Sequence, residues 1–225
     1  IKMSKLASFF DFIYRVGIML ILFLLFQLPP VAISIANRHP NNLWLTILLL
    51  AIFLIMVAFI IGWARRLYNQ YNQLSGGHFR IGLVILGYFV LLIGMSFFGQ
   101  LNMLLFHQTQ TANNQAIAQM LTHNQLATVV FAISSFTLTP VAEELIFRGV
   151  LTNLFFKPDW FWPKIILSGL VFSLAHISTN IVSFCTYCFM GMVLAYVYRR
   201  SGSLKNSIAL HALNNIVAMA ALLKI

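Results

Sequence analysis

Three short groups of polar residues, each inside an apolar stretch, hold the side chains that could do chemistry. They are Glu143, Glu144 and Arg148 in P-V-A-E-E-L-I-F-R-G, His176 in F-S-L-A-H, and His211 with Asn215 in H-A-L-N-N. A charged side chain at the centre of a bilayer costs about 2.5–3.5 kcal/mol on insertion scales, so such residues are functional candidates. Carboxylates and imidazoles are common proton-transfer groups in enzymes.

The spacing of the first group gives its two acids different surroundings. Glu144 and Arg148 stand at positions i and i+4 of a helix, the favourable order for an ion pair. Glu143 is rotated about 100° away on the same helix and has no such partner. A carboxylate left unpaired in apolar surroundings is suited to be a general base, so we expect Glu143 to act on a substrate and Glu144 to be neutralised by Arg148.

The second and third groups supply hydrogen-bonding side chains. His211 and Asn215 are also spaced at i and i+4, so both should face whatever Glu143 faces. An imidazole and a carboxamide can donate hydrogen bonds to a developing oxyanion. His176 could hold an attacking water together with Glu143, or bind a metal ion.

The composition shows that a membrane must position these residues. The chain has 225 residues, of which 60% are hydrophobic and 8% charged, with a mean hydropathy of +0.89. Soluble domains are about 45–50% apolar and about 25% charged, so the apolar surplus here must face lipid. The 14 Lys and Arg, against 4 Asp and Glu, are scattered between apolar runs. A nucleic-acid-binding protein would cluster them on one face, so we expect a lipid bilayer and no nucleic acid as partner.

The apolar runs predict an all-α, polytopic membrane helix bundle that forms a single transmembrane domain over residues 1–225. The runs are 16–36 (interrupted by Pro29-Pro30), 43–64, 81–106, 126–156, 164–177, 181–198 and 207–223. They predict about seven crossings, or about eight if the long fourth run divides near Thr139-Pro140, where a proline kinks a helix.

Lysine and arginine alternate between the connectors, which predicts the orientation of the bundle. Basic residues precede the first run and fill every second connector, whereas the polar stretch 107–125 has none. The positive-inside rule therefore places the amino terminus in the cytoplasm and favours about seven crossings over about eight. Counted from the cytoplasmic lysines at ~1.5 Å per residue, Glu143, His176, His211 and Asn215 lie roughly 21, 18, 9 and 15 Å deep. We therefore expect one pocket in the cytoplasmic half of the membrane, opening toward the cytoplasm.

The pattern of the three groups resembles a known family. E-E-x-x-x-R, then F-x-x-x-H from Phe172 to His176, then H-x-x-x-N resemble the CPBP family of intramembrane proteases. That family comprises the CAAX prenyl endopeptidases and the bacterial bacteriocin-processing (Abi) proteins. The resemblance covers residues 140–217.

The resemblance implies a peptide bond as the target and a role for each residue. Glu143 would activate water with help from His176, Glu144 and Arg148 would support the site, and His211 with Asn215 would stabilise the tetrahedral intermediate. The substrate would be a membrane-associated peptide or protein, such as a bacteriocin or signalling-peptide precursor or a CAAX-type protein, in a bacterial cell membrane. Glu143, His176 and His211 offer three ligands for one divalent metal such as zinc. A metal-free glutamate mechanism fits the sequence equally well.

Other readings of the sequence stay open at this stage. Gly94-Met95-Ser96 supplies a G-x-S found in rhomboid-like serine proteases, although small residues are common at helix contacts. Asp11 and Asp159 lie at the edges of runs, which excludes an aspartyl intramembrane protease. The polar groups could also belong to a solute or proton transporter, or to a non-catalytic bacteriocin-immunity or scaffold protein.

Overall fold

The computed structural model of the protein describes residues 5–74, 76–121 and 123–223, and these are helical with no strands. The helices are α1 (Lys5–Phe26), α2 (Pro29–Arg38), α3 (Leu43–Tyr71), α4 (Ile81–Phe106), α5 (Ala112–Gln119), α6 (Gln125–Phe136), α7 (Leu138–Glu143), a π-helix (Glu144–Val150), α8 (Leu151–Phe155), α9 (Phe161–Leu174), α10 (Ile181–Ser201) and α11 (Leu204–Leu223). The predicted all-α class is confirmed.

Asparagines set the start of three membrane helices. The side-chain oxygens of Asn42, Asn124 and Asn180 accept hydrogen bonds from backbone N–H groups at the starts of α3, α6 and α10, at 3.0, 3.1 and 2.8 Å. Such caps satisfy donors that a helix start leaves open. At its other end α10 stops at Gly202, whose φ of 70° is left-handed.

The number of candidate membrane spans roughly agrees with the predicted number of about seven. Five helical spans are long and apolar enough to cross a membrane: 8–38, α3, α4, α10 and α11. A sixth is formed if α6 and the segment 138–155, which meet at a 42° bend, count as one. The remaining predicted span, α9, has 14 residues and is therefore about 21 Å long, short of a ~30 Å hydrocarbon layer.

The bend in the fourth apolar run follows from its proline. Pro140 has no N–H, and its ring clashes with the carbonyl four residues earlier, which is that of Phe136. α6 ends at Phe136 for this reason, and α7 begins after Thr137. The predicted division near Thr139-Pro140 is thus present, as a bend within one polypeptide path.

Among the described residues, the larger of two buried apolar cores joins most of the long helices, while the outside of the bundle is also apolar. Leu22, Ile60, Leu91, Ile146 and Leu194 are among the buried side chains of this core, which joins α1, α3, α4, the π-helix and α10. Many large hydrophobic side chains are exposed, for example Ile93 at 72% and Leu104 at 73%. A surface of this kind is suited to lipid, and the protein is an integral membrane protein.

Basic residues gather at one end of the bundle. The Lys164 ammonium is buried and donates to Gln73 Oε1 at 2.7 Å, and Arg199 donates to the carbonyl of Pro158 at 2.7 Å. Placing this end in the cytoplasm remains a prediction of the positive-inside rule. Lys2 and Lys224, which also entered that prediction, lie outside the described residues.

We expect Gly191→Ala to destabilise the protein by about 1–3 kcal/mol, because the added methyl overpacks a tight helix crossing. A Cβ at Gly191 would lie 2.8 Å from Gly169 Cα and 3.0 Å from Phe172 Cβ, where α10 meets α9. Thermal unfolding in detergent micelles measures the effect. Gly99→Ala in α4 is the control, since a Cβ there meets nothing within 4 Å; an equal loss in both variants would contradict the crossing.

Candidate active site

The two glutamates stand where α7 passes into the π-helix. Glu143 ends α7 and is 5% exposed, while Glu144 and Arg148 in the π-helix are fully buried. Arg148 Nη1 lies 3.0 Å from Glu144 Oε1, so the pair expected from the i, i+4 spacing is present. Short π-helical segments are rare and occur often at functional sites.

Besides pairing with Glu144, Arg148 contacts two other helices. Its Nη2 donates to the Gly191 carbonyl at 3.1 Å, and its guanidinium carbon lies 4.4 Å from the centroid of the Phe172 ring. α9 and α10 thus fix the arginine from two sides. A carboxylate paired with this guanidinium, as Glu144 is, can only accept hydrogen bonds.

His211 lies between the two acids. Its Nδ1 is 2.9 Å from Glu144 Oε1, and its Nε2 is 3.7 Å from Glu143 Oε2. Since Glu144 only accepts, we assign a proton to Nδ1, which turns Nε2 toward Glu143. The sequence predicted that His211 faces Glu143 but gave no sign that it also contacts Glu144.

Glu143 keeps one oxygen without a partner. Among the described residues no hydrogen-bond donor reaches its Oε2, although the atom is buried. A buried acceptor without a donor is costly, so it calls for a water or a ligand group. The structure thus retains the unpaired acid that the sequence predicted.

His176 sits just beyond the end of α9. Its Nδ1 lies 2.7 Å from the carbonyl oxygen of Phe172, so we assign the proton to Nδ1 and a free lone pair to Nε2. The imidazole is packed between two rings: its centroid is 4.4 Å from that of Phe172 and 4.4 Å from that of Tyr187, and it stacks on Tyr187 at 17°. These contacts fix its orientation.

Asn215 closes another part of the site. Its Nδ2 donates to the Ser135 carbonyl on α6 at 2.8 Å, which leaves a second N–H on the same nitrogen. Asn214, one residue earlier and 8% exposed, lines the same space. The motif spacing predicted Asn215 but not Asn214. In the sequence, the only indication of Asn214 is that it is one of two consecutive asparagines.

Four of the six predicted residues line one cavity of about 310 Å³: Glu143, His176, His211 and Asn215. The other two, Glu144 and Arg148, are packed behind His211. Tyr187, which the sequence analysis missed, lines the cavity as well. The sequence gives little indication of a role for Tyr187, because tyrosines in apolar helices are common at membrane interfaces.

The cavity lies at the end of the bundle where α5 stands, and its opening toward the cytoplasm stays a prediction. The cavity is lined by Thr111 just before α5, by Ile117 within α5, and by Ile177 after α9. These connectors meet where Asn180 donates to Gln108 Oε1 at 2.9 Å, at the end of α10 opposite the basic residues. The expected depth assumed that α9 continues past His176; because α9 ends at Leu174, His176 lies at the α5 end.

The donor atoms have suitable chemistry for zinc but do not converge on one point. Within the described residues, no group of three or more His, Cys, Asp and Glu side chains is placed to hold a metal ion. Glu143, His176 and His211 keep a carboxylate oxygen and two imidazole Nε2 atoms facing the cavity region. We therefore derive no reaction step through a metal.

For the peptide cleavage that the family resemblance implies, we expect Tyr187→Ala to lower kcat about tenfold, because loss of the stacked ring lets His176 leave its position in the cavity wall. Tyr187→Phe should keep most of the activity, since it retains the ring and loses only the hydroxyl contacts with Thr111 Oγ1 at 2.7 Å and Asn114 Oδ1 at 3.5 Å. Peptide-cleavage kinetics of both variants measure this. Equal losses would show that the hydroxyl matters rather than the stacking.

Comparisons with known proteins match the part of the chain that contains this site. Residues 125–217 match the family described as "Type II CAAX prenyl endopeptidase Rce1-like". Two similar proteins of Lactococcus lactis are named UPF0177 protein YaiF, 27% identical over 86% of this chain and 90% of the relative, and UPF0177 protein YvdC, 26% identical over 92% and 78%. A Bacillus subtilis protein named "Putative membrane peptidase YdiL" is 24% identical over 79% of this chain and 70% of its own length.

No solved structure gives a significant match to the chain. The matched region contains every residue of the candidate site, from Glu143 to Asn215. Residues 125–217 are therefore similar to the Rce1-like type II CAAX prenyl endopeptidases, which confirms the resemblance predicted from the three motifs.

Proposed function

We propose that the protein is an intramembrane endopeptidase in which Glu143 activates the attacking water. The observation that carries the proposal is the buried, unpartnered Oε2 of Glu143 in the cavity that it shares with His176 and His211. The family match and the relative named as a membrane peptidase support a membrane protease.

The proposed reaction moves one proton through Glu143. Water held between Glu143 and the free Nε2 of His176 adds to the peptide carbonyl carbon as its proton passes to Glu143. The C–N bond then breaks, and Glu143 gives that proton to the departing nitrogen. A carboxylic product and an amine result, so no co-reactant besides water is needed.

Hydrogen-bond donors next to Glu143 would stabilise the tetrahedral intermediate. The free N–H of Asn215 and a protonated His211 can donate to its oxyanion. Glu144 accepts from His211 Nδ1 at 2.9 Å and so holds the imidazole in place beside Glu143.

The cavity suits a peptide that is partly apolar. Phe53, Val57, Phe131, Met190 and Met219 form apolar parts of its wall. We propose a membrane-associated peptide or protein in the bacterial cell membrane as the substrate, with a bacteriocin or signalling-peptide precursor or a CAAX-type protein as the classes to test first. Cleavage would take place in the part of the bundle covered by α5.

A cleavage assay tests the proposal directly. Purified protein in phosphatidylethanolamine–phosphatidylglycerol vesicles is incubated with a pool of internally quenched peptides, each carrying an apolar segment and a polar end. Mass spectrometry identifies the products. We expect at least one peptide to be cut at a defined bond; a pool that stays intact with folded protein would overturn the proposal.

We expect cleavage to persist after removal of divalent metals, because the described donors do not converge on one ion. The same vesicles are assayed after dialysis against a chelator, and bound metal is measured by elemental analysis. If chelation abolishes cleavage and added zinc restores it, the metal-free mechanism is wrong. Glu143, His176 and His211 would then be the ligands to test.

A further inference from the structure

The break between α1 and α2 contributes a second polar element to the same cavity. α1 ends at Phe26 and α2 begins at Pro29, within one 31-residue apolar span, 8–38. Phe26, Gln27, Pro29 and Pro30 all line the cavity that Glu143 lines. The mechanism above uses none of these residues.

Two consecutive prolines leave two backbone carbonyls without donors. Pro29 and Pro30 have no N–H to offer to the preceding turn. The backbone N–H groups on either side of the two prolines bond to other carbonyls. Leu28 N–H donates to the Leu25 carbonyl at 3.1 Å, and Val31 N–H donates to the Leu28 carbonyl at 3.0 Å. Among the described residues, no backbone N–H donates to the carbonyl oxygens of Phe26 and Gln27.

The side chain of Gln27 is equally unoccupied. Among the described residues none forms a hydrogen bond with this side chain, which is exposed within a strongly apolar span. A free amide and two free carbonyls would each cost several kcal/mol against hydrocarbon. Non-helical backbone at membrane depth is tolerated where it lines a water-filled cavity. Both sides of this break line the cavity that Glu143 lines.

We propose that the α1–α2 break is a binding subsite for the backbone of the peptide substrate. The carbonyls of Phe26 and Gln27 accept hydrogen bonds from N–H groups of an extended segment beside the scissile bond, and the Gln27 carboxamide pairs with a further backbone amide. An extended peptide presents such unpaired N–H groups, and its binding here satisfies both sides at once. This inference rests on the proposed function.

The test separates binding from hydrolysis. The probe is the peptide cut best by the wild-type protein in the pool described above. Pro29→Ala with Pro30→Ala supplies the missing donors and continues α1, so KM should rise about tenfold while kcat changes little; Gln27→Ala should raise KM about threefold, the loss of one hydrogen bond. Pro40→Ala and Gln100→Ala are matched controls, since neither residue lines this cavity.

A second measurement leaves the protein unchanged and so does not depend on how the variants fold. Probe peptides that carry a single N-methyl group at each position near the cut bond are assayed with wild-type protein. We expect N-methylation at one or two positions to raise the KM of the wild-type protein. In the double proline variant, N-methylation at the same positions should leave KM unchanged. In the Glu143→Gln background, a photoreactive residue at position 27 should cross-link the probe, whereas one at position 100 should not.

The outcomes also separate this subsite from the proposed function. If the wild-type protein cuts no peptide, the proposed function fails. If cleavage depends on Glu143 but the break variants keep the wild-type KM and N-methylation away from the cut bond has no effect, the subsite is overturned while the function stands. The free carbonyls would then bind only water.

Discussion

Replacing Glu143 with glutamine is expected to lower cleavage by about 10³-fold or more, because the amide cannot take a proton from water. Gln has nearly the shape of Glu, and the variant leaves the Glu144–Arg148 ion pair at 3.0 Å in place. We therefore expect the fold and peptide binding to be retained. Cleavage kinetics in vesicles, together with thermal unfolding in detergent, measure both parts of this expectation.

The same variant distinguishes the competing functions. A non-catalytic immunity or scaffold protein would keep its phenotype with Glu143→Gln, and a transporter would lose flux without yielding any peptide product. Asp11→Asn is the control for a change of acid to amide far from the cavity, because Asp11 is half-exposed on α1. Cleavage by Glu143→Gln at the wild-type rate would overturn the assignment of the general base.

Replacing Arg148 with methionine is expected to destabilise the protein by about 3–5 kcal/mol, because it leaves a buried carboxylate without its partner. Glu144 and Arg148 are both fully buried, so water cannot compensate for the lost charge. The variant also loses the hydrogen bond to the Gly191 carbonyl and the contact with the Phe172 ring. Thermal unfolding in detergent micelles measures the loss.

An ion pair of the same spacing on the surface provides the comparison. Arg15 and Asp11 are also at i and i+4, with Nε and Oδ2 2.8 Å apart, but their side chains are 32% and 43% exposed. Breaking that pair with Asp11→Asn should cost at most about 1 kcal/mol. Similar losses in the two variants would show that burial does not set the strength of the Glu144–Arg148 interaction.

The helical segments could be predicted from the sequence because a lipid bilayer restricts the backbone to few structures. A run of apolar residues must form its own backbone hydrogen bonds, so residues 81–106 were predicted and found as one helix. The length of α9 was harder to read. Its apolar pattern continues past Leu174, but the chain leaves the helix there, and His176 becomes part of the cavity wall.

The chemistry of the site was predictable residue by residue, but its partners were not. The spacing of Glu144 and Arg148 is local and predicts their pairing. The contact of His211 with both acids joins α11 to the π-helix, over a separation of more than 60 residues. Tyr187, Asn214 and Gln27 belong to none of the three motifs. Only their positions in the cavity wall identify them as candidate site residues.

By itself, the sequence determined that the chain lies in a membrane, where its helices run and which side chains are chemically able to act, since each follows from residue type and near spacing. The tertiary structure alone decided that Glu143 keeps a free oxygen, that His211 bridges two acids and that the cavity lies at the α5 end. The physical reason is that these features depend on how separate helices meet. Packing between distant segments fixes such meetings, and no local pattern encodes them.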